Sequence, residues 1–440
     1  MQNVMAADDL KQVVALAREA QPGWARVAPA ERGRLLHRVA DAVERVAGRL
    51  AELTTAEMGK PVGDARGGVD AGIATLRQYA ELGPLHRGRS LLGGWDAVDL
   101  MAPRPRGVVA AITPWNDPVA VPCGLIGAAL VTGNTVVFKP SERTPQTGVE
   151  LAVAIATELP YGALTLVPGD GTMGAALAEA DVDLVAHVGS TATGRSIARA
   201  CAARGAAFLL ENGGNDPLVV DAGVDPGWAA EQAALGAFAN AGQICTSVER
   251  VYLVSPRGDG FADAFLSALV AAARAWEPQP LLDRRHRDAV HAHVASAVAE
   301  GAEALTGGSV PTGGGAWYPA TVLAGCTDTM TVMREETFGP VAPVRVVDTF
   351  DEALVAAASS GYGLAATVLT PSTAHAQRAW RELPVGTLKV NAVFGGAPGG
   401  AAEPRGLSGS GFGYGPELLD EMTTTSVLHW AAPGFSGVTR

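Results

Sequence analysis

The sequence predicts an α/β protein built from two doubly wound, mainly parallel sheets, with a small β element beside them. Three observations carry that expectation. From residue 107 onward, short apolar runs alternate with helical periodicities, the pattern of βαβ units. A length of 440 residues exceeds one ordinary domain and leaves room for two or three with ample core. Apolar residues make up 48% of the chain against 18% charged, the composition of a compact globular protein.

The elements follow in order. Helical spacing is expected over 10–20, and again over 31–58, where Leu35, Leu36, Val39, Val43, Val46 and Leu50 mark one buried face. Gly59-Lys60-Pro61 ends that stretch, as a glycine stop followed by proline should. A further helix is expected over 69–80. A Gly-rich break at 91–94 then leads into a short strand over 97–101. Strands are expected over 107–112, 134–138, 164–167, 184–186, 206–210 and 218–220, with helices over 119–131, 144–158, 173–180, 191–203 and 228–238 between and after them. Alternation resumes past Cys245, with strands over 251–254, 343–347, 365–369 and 387–390 and helices over 261–275, 284–299, 351–359 and 374–383. This predicts one α/β domain from 1–90 and 106–238 and a second from 239–410, with the boundary near Ala239. The segments 91–105 and 411–440 stand apart, and 395–400 reads as a flexible glycine loop.

Composition narrows the function. The net charge of −12 argues against nonspecific binding to nucleic acid or anionic membrane. Four scattered cysteines (Cys123, Cys201, Cys245, Cys326) have neither metal-type spacing nor a disulfide framework. His286, His291 and His293 do not converge on one metal, so none is expected. A polar, acidic start and the lack of an uncharged apolar run near eighteen residues predict a cytoplasmic protein.

Open sheets of this kind bind ligands at the carboxyl ends of their strands, and the candidate residues cluster there. Gly242-Gln243-Ile244-Cys245-Thr246-Ser247 offers a thiol on a glycine-flanked backbone. Glu211, 34 positions upstream, leaves a buried strand beside Gly213 and Gly214. An unshifted thiol is only about 3% ionised at pH 7, so a nucleophilic role needs help from its surroundings. A buried, inert cysteine near a structural glutamate is the alternative. Gly169 to Gly174 matches the dinucleotide fingerprint in form, but Gly194 and Arg195 stand where an acidic residue belongs. Gly189-Ser190-Thr191 also joins strand to helix and can cradle a phosphate, or simply cap the helix. The Asn116 carboxamide can donate to an oxyanion, and Lys139 with Glu142 can bind ribose hydroxyls. A turn and a helix cap are the plain alternatives.

Together these residues carry a resemblance. Pro114-Trp115-Asn116, Lys139-Pro140-Ser141-Glu142, Gly189-Ser190-Thr191, Glu211-x-Gly213-Gly214, Gly242-Gln243-x-Cys245 and Glu335-Glu336-x-Phe338-Gly339-Pro340 follow the order of the aldehyde dehydrogenase superfamily. Gly59-Lys60-Pro61, Gly361 to Ala365 and Val390-Asn391 add to it. The resemblance implies a Rossmann-like cofactor domain, a catalytic domain and projecting oligomerisation strands. It implies that Cys245 attacks the aldehyde carbon, that Asn116 and the Cys245 N–H hold the oxyanion, and that Glu211 activates the deacylating water. The cofactor implied is NAD, with NADP as the alternative. Its contacts would be Ile112, Thr113, Pro114, Trp115, Lys139, Ser141, Glu142, Gly169, Gly189, Ser190, Thr193, Gly213, Glu336 and Phe338. Substrate contacts implied are Asp117, Ala120, Val121, Gly124, Ala239, Ile244, Thr246 and Arg405. A small aldehyde and a homodimer or homotetramer complete the implied partners.

Departures from the family bear on substrate and assembly. The chain starts almost at its first helix, where relatives carry a β-hairpin, which implies a trimmed cofactor domain or subunit contact. Asp117 replaces an aromatic tunnel residue. With the small residues at 120, 124 and 239, it predicts a wide tunnel for a polar, cationic or bulky aldehyde. Arg405, in a shortened C-terminal motif, can instead meet an anionic substrate. A CoA-acylating relative would not need Glu211, and a non-catalytic scaffold would not need Cys245, Glu211 and Asn116 together.

Overall fold

A computed structural model describes residues 7–256, 258, 260–396 and 402–431. Its first sheet has six strands in the order Gly409–Ser410, Ala207–Glu211, Leu184–Val188, Val108–Ile112, Thr135–Lys139, Leu164–Leu166. All are parallel except the first, which runs antiparallel to Ala207–Glu211. Strand Val108–Ile112 is buried throughout, because helices cover both faces. Val109 and Ala111 pack with helices Pro29–Arg45, Ala47–Met58 and Val62–Leu82. Val108, Ala110 and Ile112 face the other way, onto helices Ala7–Arg26, Gly171–Glu179 and Thr191–Arg204.

The second sheet has seven strands: Glu303–Thr306, Thr321–Ala324, Val341–Val347, Val248–Val254, Asp216–Val220, Ala365–Leu369, Thr387–Val390. Only the Glu303–Thr306 pairing is antiparallel. The architecture is therefore α/β with mixed, mainly parallel sheets, as expected from the alternation.

Four local features differ from the expectation. The helix over 31–58 is two helices, broken at Val46, whose backbone (φ −106°, ψ 9°) leaves the α region while the apolar spacing carries on. The change of sheet falls between Glu211 and Asp216, upstream of Ala239: Asp216–Val220 pairs with Val248–Val254, and helix Pro226–Phe238 packs on that second sheet. Two strands that were not anticipated, Glu303–Thr306 and Thr321–Ala324, extend the same sheet. The Gly-rich break holds a short strand, Arg89–Leu91, paired with Ala97–Pro105. The predicted loop over 395–400 lies outside the described residues beyond Gly396.

Ala97–Pro105 also pairs along its whole length with Thr423–Ala431, from Thr423 opposite Pro105 to Ala431 opposite Ala97. Thr423–Ala431 forms the outer edge of this three-stranded antiparallel sheet. Residues 432–440 lie outside the described residues. Among the described residues no helix is long and apolar enough to cross a membrane.

Candidate active site

The carboxyl ends of the two sheets bring the predicted residues together around the Cys245 loop. Helix Pro226–Phe238 ends in a tight turn in which Asn240 (φ 51°) and Ala241 (φ 54°) are left-handed without being glycine. Such backbone costs roughly 1–2 kcal/mol per residue and must be held by its surroundings. The Gln243 carboxamide does this, donating to Asn240 O (3.0 Å) and accepting the Leu282 N–H (2.9 Å). The Asn240 side chain in turn donates to Gln243 O at 3.1 Å. Asn116, at the end of strand Val108–Ile112, donates to the same carbonyl at 3.2 Å. Its carboxamide is thereby fixed against the cysteine loop. Ser247 closes the loop by donating to Gly242 O at 3.2 Å.

Cys245 is half-buried. Burial pushes its thiol pKa up, and Glu211, Asp216 and Glu336 push it further, while Lys389 acts against them. Glu211 is itself raised above the ordinary carboxylate range by burial. The C-terminal chain clamps the loop that carries it. Asn212 N–H donates to Ser408 O (2.8 Å), Asn212 Nδ2 to Leu407 O (3.0 Å) and Ser408 Oγ to Gly213 O (2.9 Å). Ser408 and Gly409, the surviving part of the shortened C-terminal motif, thus still serve this contact. Gly413 lies flat against the Glu211 carboxylate, where a Cβ would collide with it.

Glu336 reaches the same glycines from the second sheet. Its Oε1 accepts the Gly214 N–H at 3.1 Å, and its carboxylate occupies the place a Cβ of Gly213 would need. Burial pushes it up to about 7. Two residues that sequence reasoning missed hold the following turn. The buried Glu249 accepts the N–H groups of Thr337 (2.9 Å) and Phe338 (3.0 Å). His286 shares a 2.7 Å hydrogen bond with Phe338 O. Phe338 is left-handed (φ 52°), and hydrogen bonds worth about 1 kcal/mol each offset that strain. Trp115, His286 and Phe338 then meet edge to face, with ring centroids 5.7–6.0 Å apart. The only sequence signal for Glu249 was a carboxylate inside a buried strand, Val248–Val254. The histidines have separate partners: His291 meets Tyr318 Oη (3.1 Å) and His293 meets Thr337 Oγ1 (3.2 Å).

The residues expected at the nucleotide line the ends of the first sheet. Lys139 is buried, with Nζ 3.7 Å from Glu142 Oε2 and donating to Pro140 O (3.1 Å). Arg143 forms ion pairs with both Asp283 and Glu142, the latter at 3.9 Å. Ser141 accepts the Arg143 N–H at 3.2 Å. Ser190 caps the 14-residue helix Thr191–Arg204 by accepting the Thr193 N–H (3.4 Å). Helices leave their first N–H groups without backbone partners, and here Gly189 and Ser190 directly precede them. The buried Thr113 hydroxyl has no partner among the described residues. The unpartnered Thr113 hydroxyl, the N-terminus of helix Thr191–Arg204 with one N–H capped by Ser190, and the Lys139–Glu142 pair fit a dinucleotide laid along these strand ends. Asp170 caps helix Gly171–Glu179 with Gly169 before it, which gives the literal fingerprint an ordinary capping role.

The substrate-side residues divide. Thr246 lines an open cleft of about 1190 Å³ together with Thr75, Gln78, Lys389, Phe394 and Tyr414. Gly124 lies 4.0 Å from the Tyr414 ring, measured from where its Cβ would be. Ala120 begins helix Ala120–Val131, and its N–H donates to Asp117 Oδ1 at 3.2 Å. Asp117 is thus engaged at that helix start, with its pKa raised by burial and Lys60 acting against the shift. Val121 and Ile244 are half-buried, and Ala239 follows helix Pro226–Phe238. Arg405 is exposed, paired with Gly363 in a two-residue bridge, and is not among the residues lining the cleft.

Two mainly parallel sheets whose strand ends meet at a thiol with carboxylates nearby have the layout of an α/β enzyme. A sequence model of the aldehyde dehydrogenase family matches residues 2–428. The chain is 36% identical over 423 residues to 3,6-anhydro-alpha-L-galactose dehydrogenase of Vibrio sp. (strain EJY3), covering 92% of this chain and 87% of that protein. It is 34% identical over 409 residues to alpha-ketoglutaric semialdehyde dehydrogenase of Bacillus subtilis (strain 168), covering 89% and 83%. A solved indole-3-acetaldehyde dehydrogenase in complex with NAD+ superimposes with a TM-score of 0.93 at 32% identity, covering 97% of this chain and 89% of that one. The chain belongs to the aldehyde dehydrogenase family and is an NAD(P)-dependent enzyme that oxidises aldehydes.

Proposed function

We propose that the protein oxidises an aldehyde to the free carboxylic acid with NAD, through a thioester on Cys245 that water hydrolyses. The observation that carries this reading is the convergence of Cys245, Glu211 and Asn116 on one loop held by Gln243. Cys245 loses its proton and adds to the aldehyde carbon. Because its thiol is pushed up, the proton needs an acceptor, and Glu211, raised by burial, is a stronger base than an exposed carboxylate. The oxyanion that forms is held by the Asn116 carboxamide, released from Gln243 O, and by the Cys245 N–H. Bound NAD would supply the acceptor for the hydride leaving the thiohemiacetal carbon. Lys139 and Glu142 hold its adenosine ribose, Ser190 and the helix behind it its pyrophosphate, and Glu336 its nicotinamide ribose. Glu211, having passed the thiol proton on to solvent, then takes a proton from the water that cleaves the thioester. Following NADH absorbance over an aldehyde panel, with and without CoA, tests the reading. Turnover without CoA supports it, and a strict CoA requirement overturns it.

Cofactor choice follows from Glu142. Its carboxylate would accept from both ribose hydroxyls and would repel a 2′-phosphate, and Arg143 is shared between Asp283 and Glu142 (3.9 Å), so it offsets that charge only in part. NAD should therefore exceed NADP in kcat/KM by at least about tenfold, since like charges set against each other are strongly unfavourable. Glu142→Gln should narrow the gap. Equal kcat/KM for the two cofactors in the unmodified enzyme would sink the idea.

Assembly follows from the three-stranded sheet. Its outer strand Thr423–Ala431 presents an unpaired edge, and Val98 (51% exposed), Val427 (63%) and Trp430 (66%) stand in solvent. Such an edge invites pairing with another chain. A homodimer or a dimer of dimers is the expected species in light scattering at micromolar concentration, and a monomer would contradict the proposal.

A further inference from the structure

We infer that Lys389 binds a carboxylate carried by the substrate at the end remote from the aldehyde, so that the preferred substrates are ω-oxo acids. The inference rests on the aldehyde-oxidising reading above and names the substrate class for that site. Lys389 lies on strand Thr387–Val390 and lines the same cleft as Thr246, the residue next to Cys245. Two anchors fix its ammonium group. It donates to Val393 O at 2.7 Å and sits 5.4 Å over the Phe394 ring. That carbonyl is brought back over the lysine by a turn at Asn391, left-handed at φ 58°, whose side chain pins Thr370 from both sides (2.8 and 3.0 Å).

The charge so placed has no counter-ion. An ammonium carries three donors, and Val393 takes one of them. Among the described residues Lys389 forms no ion pair, while the other cations of the cleft are spent. Arg77 pairs with Asp41 (2.9 Å) and Glu44 (2.6 Å), and His37 with Glu81 (2.6 Å). Burial pushes the Lys389 pKa down and the Asp216 charge pushes it back up, but Asp216, itself buried and raised, makes no ion pair with it among the described residues. Buried charges are normally paired, and an unpaired cation on the wall of a substrate cleft is a receptor for an anion. Its field also reaches Cys245, which places the anion and the reacting carbon in one cleft. The resemblance to alpha-ketoglutaric semialdehyde dehydrogenase, named for an aldehyde that is also an acid, agrees with this direction. Asp117, which in sequence suggested a cationic substrate, is occupied at a helix start.

The test compares two substrate series in the full-length enzyme with saturating NAD: ω-oxo acids from 4-oxobutanoate to 6-oxohexanoate, and unbranched neutral aldehydes of the same lengths. At its best chain length the oxo acid should exceed the matching neutral aldehyde in kcat/KM. Lys389→Met should lower that ratio by about 10- to 100-fold, the worth of a charge-assisted hydrogen bond, with the change in KM of the oxo acid. Lys389→Arg should keep most of the preference, which separates charge recognition from a packing role. An equal loss on both series in Lys389→Met would assign Lys389 to the thiol or to the fold and overturn the inference. So would an unmodified enzyme without preference for oxo acids. NADH formation from no aldehyde of either kind would overturn the aldehyde-oxidising reading itself.

Discussion

Replacing Cys245 by alanine is expected to abolish NADH formation from every aldehyde, a loss of at least ~10⁴-fold and on the scale seen when a covalent nucleophile is removed. The reason is stoichiometric. Without the sulfur no tetrahedral adduct forms, and no carbon in the cleft carries a hydride ready to leave. The substitution is small, at a half-buried loop position held by Gln243 and Ser247, so the fold should survive it. Retained binding of NAD, followed by quenching of Trp115 and the other tryptophans, would establish that. Residual turnover above one per cent of the unmodified enzyme would remove Cys245 from the role of nucleophile.

Glu211→Gln separates the two halves of the reaction. Acylation should still give a burst of NADH close to one per active site, while steady turnover falls by about 10²- to 10⁴-fold, the usual worth of a positioned general base. A misfolded variant has no burst, so the two outcomes are distinguishable. The burst should be slower than in the unmodified enzyme, because the raised Cys245 thiol also loses a proton acceptor. The pH dependence carries a sign. Glu211 must be ionised to act, and burial raises its pKa. Steady turnover of the unmodified enzyme should therefore rise with pH through a midpoint above the ordinary carboxylate range. In Glu211→Gln that acid limb should disappear. Near-normal steady turnover in the variant would assign the deacylating base elsewhere.

Much of this site was legible in the sequence because its parts sit where strand patterns end. Asn116, Lys139, Ser190 and Glu211 each follow a run of buried apolar residues, and a parallel sheet brings such ends to one edge. What the pattern cannot encode is which sheet a buried strand joins. Residues 207–211 and 216–220 both carry apolar runs, yet the first belongs to one sheet and the second to the other. Nor does composition announce left-handed backbone at Asn240, Ala241 and Phe338 themselves, although Gly242 and Gly339 stand next to them. Glu249 and Gln243 do their work through long-range bonds to backbone, invisible to local spacing. Lys389 was hidden by its own strand, which reads as an ordinary half-exposed edge. Arg405, which drew attention through the family motif, is exposed and pairs with Gly363 in a two-residue bridge.

The claim that everything else depends on is the thioester at Cys245, and peptide mass spectrometry tests it directly. Glu211→Gln mixed with NAD and an aldehyde, quenched in acid during the stalled phase and digested, should yield a Cys245 peptide heavier by the acyl group. The increment should track the aldehyde used, and peptides bearing Cys123, Cys201 and Cys326 should be unchanged. A full NADH burst with an unmodified Cys245 peptide would contradict the account.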